Sequence, residues 1–105
     1  MGESNHTIIV EDLKAGVHAR AIIDVRKPAA YEVSGTIIKG AVWHHPFEVD
    51  SWAESVTGPV VVYCVHGHEV SQGVAAYLRA RGIDAVYLVG GYEDFVAANG
   101  ETEPA

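Results

Sequence analysis

The sequence predicts an α/β domain built on a mostly parallel sheet of about five strands, with helices on both faces. Three observations predict it. Apolar, β-branched runs alternate with helix-patterned segments from one end of the chain to the other. The strongest run, Val60-Val61-Val62-Tyr63, is apolar without alternation, as expected of a strand covered on both faces. Glycine or proline stands at most junctions, where the chain must turn.

Thr7-Ile8-Ile9-Val10 reads as an edge strand, and Glu11 to Ala15 as a short helical turn ended by Gly16. Ala21 to Arg26 reads as a buried strand closing on a charged tip. Pro28 suits the first turn of a helix running to about Val33. Gly35 to Gly40 is expected to be a loop, and Ala41-Val42-Trp43 a short strand that ends in His44-His45-Pro46. Phe47 to Val56 is expected to be helical, with Phe47, Trp52 and Val56 available to the core and Thr57-Gly58-Pro59 as its stop. Cys64 follows the Val60 to Tyr63 strand directly. A helix is then expected from Ser71 to Arg81, with Val70, Val74 and Leu78 on one face and Gly82 as its stop. Ala85 to Val89 reads as another buried strand, and Gly90-Gly91 turns the chain into a last helix, Tyr92 to Ala98. The tail Asn99 to Ala105 is polar and expected to be loose. Trp43, Trp52, Phe47 and Phe95 are read as core residues, and Glu93-Asp94 as a solvated face near a helix start.

A length of 105 residues fits one domain, residues 1–105, with a core from about 8 to 98. Hydrophobic residues make up 49% of the chain, enough to build a real core. No apolar stretch approaches the ~20 residues of a membrane span. Met1-Gly2-Glu3-Ser4 lacks a basic region followed by an apolar run, so the expectation is a cytoplasmic protein without a cleaved export signal. On that expectation Asn5-His6-Thr7, a match to a glycosylation acceptor, reads as chance. A formal net charge of −7 argues against a nucleic-acid partner, which would need clustered Lys and Arg. Monomer and homodimer are both compatible with the sequence. The single cysteine excludes an intramolecular disulfide and a Cys₄ metal site.

A lone cysteine is commonly a small buried hydrophobe. The surroundings of Cys64 point elsewhere. It stands at the carboxyl end of the most buried strand, where open parallel sheets place their functional crevice. The loop Cys64-Val65-His66-Gly67-His68-Glu69-Val70 leads into the helix expected at Ser71. Gly67 permits the curvature that turns several backbone N–H groups inward. A helix start adds unpaired donors and a partial positive charge. Together they suit an anion carried on the cysteine sulfur. Two chemistries use such an arrangement. In sulfane-sulfur transfer, the thiolate takes the outer sulfur of a donor, holds it as Cys–S–S⁻ and passes it to a thiophilic acceptor. In oxyanion chemistry, the thiolate attacks phosphorus or arsenic, which normally requires a guanidinium clamp. No Arg or Lys lies between Cys64 and Ser71.

The run from Val60 to Gly67, followed by Ser71-Gln72-Gly73-Val74-Ala75-Ala76-Tyr77-Leu78, resembles the active-site segment of the rhodanese family. It is most similar to the single-domain thiosulfate sulfurtransferases, with their Cys-x-His-Gly start and Ser-Gln-Gly helix start. Asp24-Val25-Arg26, Gly40-Ala41 and Val86 to Tyr92 resemble further family segments in the same order, so the resemblance covers about Ile8 to Ala98. It implies a rhodanese-like fold and a sulfurtransferase with Cys64 as its catalytic persulfide carrier. Val65, His66, Gly67, His68, Glu69, Val70 and Ser71 would surround the substrate. The implied partners are a small-molecule sulfur donor, thiosulfate or a persulfide or polysulfide, and a thiol or cyanide acceptor. No metal or organic cofactor is implied.

The sequence departs from the family pattern at two places. Gly35-Thr36-Ile37-Ile38-Lys39-Gly40-Ala41 lacks a histidine common in the family and is one residue longer. The cysteine loop, Cys64 to Val70, has seven positions, the length used by the phosphatase and arsenate-reductase branch, but ends in Val70 where that branch has Arg. An arsenate-reductase or phosphatase-like activity is therefore the alternative within catalysis, and a non-catalytic interaction module the alternative outside it. The missing guanidinium weighs against the first, and the presence of Cys64 against the second. Glu69 either points to solvent or disfavours anionic donors. His66 and His68 either assist an anion or proton transfer, or are plain exposed loop residues. Asp24 and Arg26 form an ion pair at the rim of the site or cap local backbone. Cys64, His66 and His68 with His44 and His45 make an awkward tetrahedral metal set, because ligands alternate within one tight turn.

Overall fold

The computed structural model describes residues 6–105. The Met1 to Ser4 start and Asn5 of the glycosylation-type triplet lie outside them. Five strands form one parallel sheet: β1 (Thr7–Ile8), β2 (Ala21–Asp24), β4 (Val42–Trp43), β5 (Val60–Tyr63) and β6 (Ala85–Leu88). Their order across the sheet is β1-β6-β5-β2-β4. β5 is thus the central strand, and all four of its residues are buried.

Its unbroken apolar run follows from that position. Val61 and Tyr63 face a core shared with α1 (Val10–Ala15) and α5 (Gly91–Ala97), through Val10, Leu13 and Phe95. Val60 and Val62 face the opposite core, shared with α4 (Glu69–Ala80) through Val74, Ala75 and Leu78. Consecutive strand residues point to opposite faces, so a strand with helices on both sides is apolar at every position. Tyr31 of α2 (Pro28–Ser34) joins the first core, and Val49 and Trp52 of α3 (Val49–Trp52) join the second. The expected α/β class, with a parallel five-stranded sheet and helices on both faces, is observed.

Several local expectations are corrected. The segment Gly35 to Gly40 is not simply a loop: Thr36–Ile38 forms β3. The tail is not loose, because Thr102–Pro104 forms β7, which pairs with β3 in a separate antiparallel ribbon. Ile37 and Ile38 are buried, so the ribbon closes the first core. The stretch after β4 is not one helix but a 3₁₀ turn at Pro46–Glu48, the single-turn α3 and a second 3₁₀ turn at Ala53–Ser55. Phe47 is no core residue there; it is 67% exposed. Trp43 and Trp52 are half-buried against the two cores, whereas Phe95 is fully within the first. α4 begins at Glu69, two residues before the expected Ser71, and caps at Arg81 just ahead of Gly82.

Candidate active site

The site is assembled from the carboxyl ends of the two neighbouring central strands. Asp24 of β2 stands beside Tyr63 of β5 in register, and Val25 N–H still donates to the Tyr63 carbonyl at 2.8 Å. The segments that follow, Val25 to Lys27 and Cys64 to His68, therefore open side by side. Between them lies a cavity of about 620 Å³, lined by Arg26, Lys27 and Ala30 on one side and by Cys64, Val65, His66, His68, Glu69 and Val70 on the other.

The cysteine loop is held from outside by the last helix. Tyr92 N–H donates to the Cys64 carbonyl at 2.8 Å, and Glu93 N–H to the Val65 carbonyl at 3.0 Å. Gln72 binds two more carbonyls: its side-chain Nε2 donates to Gly67 at 3.0 Å and its backbone N–H to His68 at 3.1 Å. Among the described residues, no carbonyl or side chain accepts from the N–H groups of residues 65–71. Four of the loop carbonyls, those of Cys64, Val65, Gly67 and His68, are thus already bonded while its donors remain available, the arrangement that suits an anion.

Gly67 and Gly91 make this contact possible. Gly67 has φ +76°, and a Cβ there would meet Leu88 O and Gly90 N at 2.7 Å. Gly91 has φ +65°, and its Cβ would meet Val65 O at 2.5 Å and Cys64 O at 2.6 Å. Gly67 consequently packs against the turn before α5 and is not among the residues that line the cavity.

Cys64 is 6% exposed, and its Sγ lies 3.2 Å from the hydroxyl oxygen of the fully buried Ser71. The thiol can donate to that oxygen; the hydroxyl can rotate and donate to a thiolate. Ser71 therefore supports the sulfur from beneath. His66 and His68 are both exposed on the loop, with their rings 5.9 Å apart. His66 Nδ1 lies 3.2 Å from Glu93 Oε1. Glu69 is exposed at the start of α4, on the cavity wall.

Asp24 and Arg26 do form an ion pair, but not at an open rim. They are 0% and 1% exposed, and Arg26 Nη2 lies 2.6 Å from Asp24 Oδ2. Asp24 also caps backbone, accepting from Arg26 N–H at 2.9 Å. Arg26 Nη2 reaches on to the Thr36 carbonyl at 2.7 Å, and the guanidinium stacks on Tyr92 at 4.1 Å. Burial works against the Arg26 charge, but the bonds and charge of Asp24 outweigh it and hold the guanidinium above its usual pKa. Tyr63 hydroxyl donates to Asp24 at 3.0 Å and accepts from Ile38 N–H at 3.1 Å. Burial, then the Asp24 charge, push that phenol well above its ordinary pKa, so it remains a donor. This network ties β2, β5, β3 and α5 together directly behind the cavity.

His44 and His45 do not join the site. His44 stacks on Trp52 with centroids 4.5 Å apart, and His45 Nδ1 accepts from Phe47 N–H. Among the described residues, no group of three His, Cys, Asp or Glu side chains is placed to hold a metal ion. Lys27 and Ala30 were not anticipated as lining residues. The signal was present, since Lys27 follows the end of a buried strand, where the crevice of a parallel sheet lies.

The family model described as the rhodanese-like domain matches residues 9–98. The thiosulfate sulfurtransferase GlpE of Pseudomonas fluorescens (strain Pf0-1) is 34% identical over 73 residues, which are 69% of this chain and 66% of that protein. The chain therefore spans slightly less than two thirds of that relative. Among solved structures, a rhodanese-related protein from Thermoplasma volcanium superposes with a TM-score of 0.82 at 21% identity, covering 93% of this chain and 97% of that one. The rhodanese-like domain of the Anabaena sp Alr3790 protein gives 0.78 at 28% identity, covering 95% and 80%. Sheet order, the turn after β5 and the match across almost the whole described chain agree with the resemblance read from the motifs: the chain belongs to the rhodanese-like domain family.

Proposed function

We propose that this protein is a sulfurtransferase that moves sulfane sulfur from thiosulfate or a persulfide or polysulfide to a thiophilic acceptor, a thiol or cyanide, through a Cys64 persulfide. The observation that carries the reading is a thiol lining a cavity at the start of a loop whose N–H groups, Val65 to Ser71, meet no acceptor among the described residues. The similarity to a thiosulfate sulfurtransferase supports it.

In this reading the Cys64 thiolate attacks the outer sulfur of the donor. A Cys–S bond to that sulfur forms, and the donor's own bond to it breaks. The leaving group departs with the electron pair, as sulfite from thiosulfate or as a thiolate from a persulfide. Amides of Val65 to Val70 and the Ser71 hydroxyl stabilise the resulting Cys–S–S⁻ by charge-assisted hydrogen bonds. The acceptor thiolate or cyanide then attacks the outer sulfur and regenerates the Cys64 thiolate. Each step is a displacement at sulfur, so the chain needs no metal or organic cofactor for it. Arg26 lines the cavity, yet its charge is matched by Asp24, leaving no free guanidinium to clamp a phosphoryl or arsenate group.

Mass spectrometry after treatment with thiosulfate or a persulfide tests the reading. A gain of one sulfur atom on Cys64, lost in Cys64→Ser and discharged by cyanide, is expected. Wild-type protein that stays unmodified with thiosulfate, polysulfide and glutathione persulfide alike would refute it.

A further inference from the structure

The cavity beside Cys64 has an uneven charge lining. Arg26 contributes no free charge, since Asp24 pairs with it at 2.6 Å and it is 1% exposed. Glu69 places a carboxylate on the wall, and His66 is turned to Glu93 at 3.2 Å. The remaining formal cation is Lys27, which makes no ion pair among the described residues. Its Nζ lies 6.0 Å from the ring centre of Phe47, within cation–π range. Phe47 is exposed, yet its backbone is fixed by the 3₁₀ turn that follows the buried Pro46. Lys27 lines the cavity, and the neighbouring phenyl ring limits where its ammonium can go.

The chain as a whole carries a net charge of −7 and so repels a dianion at long range. A dianionic donor that brings its outer sulfur to the nearly buried Cys64 needs a local counter-charge on its other end. Within the cavity lining, where His66 and His68 add imidazoles, Lys27 is the unpaired side chain with a permanent positive charge to supply one.

We propose that Lys27 selects the donor: its ammonium holds the sulfonate end of thiosulfate at the cavity wall while the sulfane sulfur reaches Cys64. The assignment rests on the sulfurtransferase reading. In the step it serves, the Cys64 thiolate bonds to the sulfane sulfur and the S–S bond of thiosulfate breaks. Sulfite leaves with the electron pair, and its two negative charges stay beside Lys27 until it departs. A donor without an oxyanion gains nothing from the contact.

Two measurements test this. In a Cys64→Ser background, which binds without turnover, calorimetry gives the affinity for thiosulfate. Adding Lys27→Met should weaken it about tenfold, the size of one charge-assisted contact, and Lys27→Arg should recover most of the loss. With Cys64 intact, the ratio of kcat/KM for thiosulfate to that for 2-hydroxyethyl persulfide should fall about tenfold in Lys27→Met, carried mainly by the KM for thiosulfate. An unchanged thiosulfate affinity, or an unchanged ratio, overturns the assignment. If the wild type forms no Cys64 persulfide with any donor while the affinity loss is still seen, Lys27 stands as an anion-binding residue and the sulfurtransferase reading is the one that fails.

Discussion

Replacing Gly91 by alanine would put a methyl group 2.5 Å from Val65 O, 2.6 Å from Cys64 O and 2.6 Å from Gly67 N. All three are backbone atoms, so no side chain can swing aside, and either the cysteine loop or the start of α5 must move. The substitution also holds a non-glycine residue at φ +65°. The left-handed backbone costs roughly 1–2 kcal/mol and overpacking a further ~1–3 kcal/mol, or about 2–5 kcal/mol together. For a domain near 100 residues, at the low end of about 4–5 °C per kcal/mol, that corresponds to a fall in Tm of roughly 8–25 °C. Gly82→Ala is the matched control, because Gly82 has φ +85° but open space around its Cβ position. It should carry only the backbone cost, about 5–8 °C. Thermal melts followed by circular dichroism at one pH and scan rate compare the two directly. Sulfur loading of Cys64 should fall sharply in Gly91→Ala and stay near wild type in Gly82→Ala. Melting points within about 3 °C of each other, a gap smaller than ~1 kcal/mol, would show that the glycine contact does not fix the loop, and the reasoning would be wrong.

Asp24→Asn leaves the buried Arg26 guanidinium without its counter-charge and should destabilise the fold by about 3–5 kcal/mol, measured by urea unfolding; a loss under ~1 kcal/mol would mean that water or another group reaches Arg26. Deleting residues 102–105 removes β7 and uncovers Ile37 and Ile38, so hydrogen exchange should accelerate at Ile37, which pairs with Glu103, before it does in β5; uniform protection would refute this. Burial lowers the pKa of His44 below its ordinary 6.5. The unfolded chain then binds the proton more readily, so this stability is complete above the unfolded pKa and declines as pH falls through 6.5 toward the folded value. His44→Asn should accordingly make Tm less sensitive to acid between neutral pH and pH ~5, and an unchanged acid slope would count against the burial of His44 as its source.

The sheet was legible because its central strands announce themselves locally: an unbroken Val60 to Tyr63 run has few other destinations. The β3–β7 ribbon was not, although Thr36-Ile37-Ile38 is β-branched. Its partner lies more than sixty residues away in a polar tail, and a pairing of that range leaves no mark on either segment alone. Cys64 and its loop were legible from their place at a strand end. The sequence places Ser71 at the start of a helix, on the spacing of Val70, Val74 and Leu78 that follows the loop. It lies two residues inside the helix, fully buried, with its hydroxyl turned to Cys64. Asp24 and Arg26 were read as a charged tip, which normally implies solvent; Tyr31, Tyr63 and Tyr92 supply the aromatic walls that bury the pair instead. Lys27 carries no such mark, since Pro28 beside it signals a helix entry rather than a cavity wall.

The way α5 grips the cysteine loop also decides which sign of charge can settle there. A thiol flanked by His66 and His68 would ordinarily attract soft metal ions, which look for lone pairs. The carbonyl oxygens of Cys64, Val65, Gly67 and His68 already accept from Tyr92, Glu93 and Gln72, which makes them poorer ligands for a cation. The N–H groups of the loop, by contrast, meet no acceptor among the described residues. A preference for anion over cation is thus built into the loop by two glycines, one helix and the single side chain of Gln72.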